Sequence, residues 1–135
     1  MKPLPRTDMA LVIRTDFSDD AAWNSVVAAV RQPVEGFFAY VEFVDDPAFK
    51  DLTVEQLVAL GDDLSMSYAI VADTVTMSGA EHTLLVVSLL EEPGRVFRAI
   101  PSAIQSIENN LSITNMDFWE FADNVDADGV FRGFE

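Results

Sequence analysis

A chain of 135 residues is long enough for one hydrophobic core and too short for two comfortable ones. Half of its residues are apolar and the mean hydropathy is +0.19, so burial can offset the entropy of ordering, which argues against intrinsic disorder. With 8 Lys and Arg against 23 Asp and Glu the net charge is −15. That balance argues against nucleic acid and anionic membrane, which are bound through many basic contacts, and is compatible with a basic protein partner, with cations, or with solubility alone.

The absence of cysteine removes disulfides, thiolate metal sites and cysteine nucleophiles from consideration. The first ten residues lack the apolar run of a signal peptide, and no later run approaches the roughly 18 residues of a membrane span, so the expected location is cytoplasmic.

Residues 1–9, with two prolines, read as an N-terminal arm, and residues 10–135 as a single α/β domain. Leu11 to Thr15 is an apolar run with one Arg, the pattern of a strand buried on both faces. Ser18 is placed to cap a helix whose first turn holds Asp19 and Asp20 and whose apolar stripe is Ala22, Trp23, Val26, Val27 and Val30; Gln32-Pro33 should end it. Phe38 to Val44 predicts a second strand, running into Asp45-Asp46-Pro47. Thr53 and Gln56 have capping-box spacing at the start of a short helix that should stop at Gly61.

Tyr68 to Ala72 predicts a third strand, ending at Asp73 with a loop to follow. Strand, helix, strand, helix, strand at this spacing implies mainly parallel pairing. Thr83 to Leu90 and Val96 to Ile100 then predict an antiparallel hairpin, with Pro93-Gly94 suited to a type II turn. The last third reads as helical, with Ser102 and Gln105 as a capping box before Ile104, Ile107 and Leu111, and Asn115 capping a helix with Phe118, Phe121, Ala122 and Val125 on one face. Val130 to Phe134 follows as a docked strand or tail. The fold expected is a mixed sheet of about five strands with C-terminal helices.

Four runs resemble a family of small acidic, mostly actinobacterial proteins classed as a domain of unknown function: Arg14 to Asp20, Val41 to Pro47, Ile107 to Ile113, and Asn115 to Phe118 continuing through Gly129 to Phe134. The resemblance covers nearly the whole chain. It implies one domain in a bacterial cytoplasm and carries no activity, cofactor or site.

Three constellations are candidates for chemistry. Asp16, Asp45, Asp46 and Asp73 stand at the ends of the three predicted parallel strands, with Asp19 and Asp20 close behind. In open α/β sheets ligands bind at the carboxyl ends of strands, and carboxylates gathered there need a cation, a basic partner or a raised pKa. Each also has a structural role as a helix-dipole or turn residue. Asn124, Asp126, Asp128 and Glu135 match the ligand spacing of an EF-hand loop, but no helix follows to pair the motif. His82, the sole histidine, follows Glu81 and has no evident nucleophile to activate. Among the aromatic residues, Phe37-Phe38 and Phe131 to Phe134 are those whose exposure would mark an interaction surface.

The leading functional expectation is a non-enzymatic acidic binding protein, of the immunity or inhibitor kind, that engages a basic protein partner without a cofactor. The alternatives are a small Mg²⁺-dependent enzyme or ligand-binding domain using the strand-end acids, with Ca²⁺ at the C-terminal loop as a further possibility, and a structural or dimeric accessory protein.

Overall fold

The computed structural model describes residues 1–134. Among them six strands form one mixed sheet in the order β2-β1-β3-β4-β5-β6. The strands are β1 (Ala10–Arg14), β2 (Val41–Val44), β3 (Tyr68–Ala72), β4 (Leu84–Ser88), β5 (Val96–Ala99) and β6 (Val130–Phe131). The helices are α1 (Asp20–Arg31), α2 (Val54–Gly61), α3 (Thr74–Ser78), α4 (Ile104–Leu111) and α5 (Phe118–Ala122). β1 pairs in parallel with β2 and β3, β4 runs antiparallel to β3 and β5, and β6 lies parallel to β5. Only β4 is reversed, so the carboxyl ends of the other five strands share one edge of the sheet.

Period-2 alternation divides the sheet between two cores. Val12, Ile70, Val86 and Phe97 face the larger one, covered by α1, α4 and α5; Leu11, Ile13, Val71 and Val87 face the smaller one, covered by α2, Phe49 and Leu4 of the N-terminal arm. β1 is buried on both sides as its apolar run implies, with Leu11, Val12 and Ile13 at 0% exposure. The Thr53–Gln56 capping box forms in both directions, and α2 stops at Gly61. The hairpin turn also follows the sequence: Arg95 N–H donates to Glu92 O at 2.9 Å around Pro93-Gly94, with Gly94 at φ +89°. None of the described helices is long and apolar enough to cross a membrane.

Several local expectations need correction. The second strand begins at Val41 and not at Phe38, because Val34 and Phe37 close their own tight hairpin through Glu35 (φ 52°) and Gly36 (φ 84°), both left-handed, and this lifts Phe37 and Phe38 off the sheet. Asp19, not Ser18, caps α1 through Ala22 N–H, since Asp16 Oδ1 already holds Ser18 through its N–H (2.7 Å) and its hydroxyl (2.6 Å). Asp73 opens α3 where a loop was expected, in a reciprocal box with Thr76. Ser102 lies inside a 3₁₀ turn, Pro101–Ala103, so α4 starts without a side-chain cap. Asp117, not Asn115, stands at the N-cap of α5, its N–H donating to Glu120 Oε2 at 2.8 Å. A sixth strand is made by Val130–Phe131 at the sheet edge.

Candidate functional site

The chain leaves β1 toward β2 and leaves β3 toward β4, in opposite directions along the sheet, so the carboxyl ends of β1 and β3 flank a topological switch point. β1 ends there on Arg14, which is only 3% exposed although it carries a charge. Its Nε donates to Asp16 O (2.9 Å), Nη2 to Asp20 Oδ1 (2.7 Å) and Nη1 to Asp45 Oδ1 (3.2 Å). The guanidinium carbon also lies 4.5 Å from the ring centroid of Phe17 and 5.5 Å from that of Trp23. A cation thus ends an interior strand and gathers the start of α1 and the loop after β2.

The other strand-end acids are each engaged separately. The Asp16 carboxyl is held below its ordinary range, first by the Ser18 hydroxyl and then by the Ser18 N–H. Asp19 serves the α1 cap at 3.0 Å. Asp46 caps the 3₁₀ turn Pro47–Phe49 through Ala48 N–H and pairs with Lys2, which is the main cause of its lowered pKa.

Asp73 meets the guanidinium of Arg98, from β5, in a two-pronged contact (Nη1 to Oδ1 3.1 Å, Nη2 to Oδ2 2.6 Å), while Oδ1 also accepts from Thr76 N–H and its hydroxyl. Burial pushes the Asp73 carboxyl up, but the Arg98 hydrogen bonds and charge, with Thr76, outweigh it and the net shift is downward. Of the six predicted acids, then, Arg14 brings Asp20 and Asp45 together; Asp16, Asp19, Asp46 and Asp73 stand apart.

The C-terminal loop has the same character. Gly129 N–H donates to Asp126 O (2.9 Å) with Gly129 at φ +81°, making a tight turn that feeds β6. Arg132 then collects Asp126 (2.6 Å), Asp128 (2.7 Å) and Glu81 (2.7 Å). These contacts lower the Glu81 and Asp128 carboxyls, chiefly through Arg132 itself, and raise Arg132, chiefly through Glu81. Asn124 Nδ2 donates to Glu120 O at 2.7 Å, and Glu135 lies outside the described residues. Among the described residues no three His, Asp or Glu side chains are grouped so as to hold a metal ion.

His82 has φ 50° and its Nδ1 is 2.8 Å from Thr76 O. A carbonyl only accepts, so this contact places the proton of a neutral ring on Nδ1 and leaves Nε2 free. The ring borders an open groove of about 570 Å³ with Ala28, Ala29, Val34, Pro101 and Ser102.

Phe37, Phe38 and Tyr40 are exposed at 61%, 53% and 65%, whereas Phe131 is buried and Phe134 half-exposed. Sequence reasoning missed Arg98 and Arg132 as the organising cations. It also missed Glu108, a carboxylate at 4% exposure on α4. A signal for it exists: position 108 continues the stripe of Ile104, Ile107 and Leu111, so an acid there faces the core.

These features define an acidic α/β domain whose carboxyl edge is closed by internal arginine pairs. Residues 9–134 match the model of a family described as Domain of unknown function (DUF6924), and the chain belongs to that family. No curated protein matches it.

Proposed function

We propose that this domain is a non-enzymatic acidic binding protein, of the immunity or inhibitor kind, that engages a basic protein partner in the cytoplasm of an actinobacterial cell. The cellular setting is supported by the four residue runs that resemble a family of such proteins. One observation carries the binding role: Asp20, Asp45, Asp73, Glu81, Asp126 and Asp128 already have internal partners in Arg14, Arg98 and Arg132, whereas Asp8, Glu35, Asp51, Glu55, Asp62, Glu91 and Asp117 stand exposed around the molecule. A surplus of fifteen negative charges over such a surface raises the encounter rate with a basic protein and repels acidic competitors.

Tagged protein incubated with extract of its cell of origin at low ionic strength, then washed with rising salt, is expected to release one basic protein in stoichiometric amount. Release of only abundant, unrelated basic proteins at modest salt would mean that the charge serves solubility alone.

A further inference from the structure

We infer that the segment from Phe37 to Tyr40 is the surface on which the basic partner docks, through an arginine or lysine side chain placed against its exposed rings beside Glu108. This rests on the acidic-binder reading and names its site.

The segment's backbone is tied to its neighbours and Ala39 packs against the larger core, while the side chains of Phe37, Phe38 and Tyr40 are exposed. The hairpin through Glu35 and Gly36 fixes its start. From α4, Asn109 Nδ2 donates to Phe38 O (3.0 Å), Glu108 Oε1 accepts Tyr40 N–H (2.7 Å), and Gln105 Nε2 steadies Asn109 Oδ1 (2.9 Å). Three aromatic rings on a backbone already ordered are the side chains that dominate interface energies, presented with little further entropy to lose.

The chemistry of the occupant follows from charge. Glu108 is 4% exposed, and Oε1 takes both of its hydrogen bonds, from Tyr40 N–H and from Asn109 Nδ2 (2.7 Å). No Lys or Arg among the described residues forms an ion pair with it, in contrast to the paired Asp73. Hydrogen bonds satisfy this carboxylate but no cation offsets its charge, and the exposed aromatic side chains of the segment it holds favour the same incoming charge. Glu35 at the hairpin tip adds to that preference. The neighbouring Arg31 guanidinium, 5.0 Å from the Phe43 ring centroid, already makes within the chain the contact a partner's cation would make here. A second copy of the chain would bring another net −15 to the surface and is disfavoured.

A photoreactive benzoyl-phenylalanine is introduced at position 38 in one protein and, as a control on the opposite edge of the sheet, at exposed position 75 in another, and each is cross-linked in the cell of origin. The expected result is an adduct with one basic protein from position 38 and none from 75. With that partner purified, Phe38→Ala and Tyr40→Ala should each weaken binding about thirtyfold. Glu108→Gln should weaken it about tenfold at an unchanged melting temperature, since the amide oxygen still accepts from Tyr40 N–H. Cross-linking of the same partner from position 75, with Phe38→Ala binding at full strength, would overturn the docking surface and leave the acidic-binder reading intact. An adduct between two copies of the chain would also overturn it. If no basic protein is cross-linked at either position and none survives the salt-stepped capture, both readings fail.

Discussion

Phe121→Ala is expected to lower the free energy of unfolding by about 3–5 kcal/mol, a large fraction of what a domain of this size possesses. Phe121 is at 0% exposure on α5. Its ring stacks on Phe97 of β5 (centroids 6.4 Å apart, planes at 10°), meets the edge of Phe131 of β6 (5.2 Å, 82°) and leans on Phe134 (5.4 Å). Truncation removes a buried aromatic and leaves a hole bordered by a helix and two strands, none of which can close it without breaking its own pairing. Phe134→Ala, at a half-exposed ring of the same cluster, should cost less than about 1 kcal/mol. Urea unfolding of the two variants beside wild type makes the comparison. Equal small losses would mean that α5 and β6 are not part of the cooperative core.

Asp73→Ala is expected to cost about 2–4 kcal/mol, because it leaves the Arg98 guanidinium without its carboxylate and removes the cap of α3 together. Asp73→Asn keeps an oxygen for the Thr76 N–H but loses both the charge and the second oxygen that accepts from Arg98 Nη2, so the difference between the variants separates cap from ion pair. The pH dependence has a definite sign. The folded carboxyl titrates below the ordinary 3.8, so the unfolded chain binds the proton more readily. The contribution is fully present above 3.8 and is lost as the pH falls through the folded value. Between about pH 5 and about pH 3, wild type should therefore lose more stability than Asp73→Asn. Parallel acid limbs for the two proteins would show that the Arg98 contact contributes nothing.

What the sequence reveals here is local. The unbroken apolar run of Leu11, Val12 and Ile13 and the spacing of Thr53 and Gln56 each state a structure within a few residues, and those structures form. Choices between adjacent candidates are harder: Ser18 and Asp19 are both competent caps, and the decision falls to Asp16, whose own hydrogen bonds take Ser18 away. The site is least legible because its contacts are remote. An Arg inside the apolar run Leu11 to Thr15 announces a buried cation, yet its partner Asp45 lies 31 residues on. Glu108 likewise stands out in its apolar stripe, but the N–H it accepts from is 68 residues away. Physical chemistry requires that such groups have partners, and only the assembled sheet says which.

The two tryptophans occupy opposite environments, Trp23 at 5% exposure under the Arg14 guanidinium and Trp119 at 47% on the outer side of α5. The chain therefore carries two optical gauges of different meaning. Emission from Trp23 reports the integrity of the interior, while Trp119 is open to collisional quenchers. Around a molecule of charge −15 those quenchers sort by sign, so that caesium is concentrated near the Trp119 indole and iodide is kept away from it.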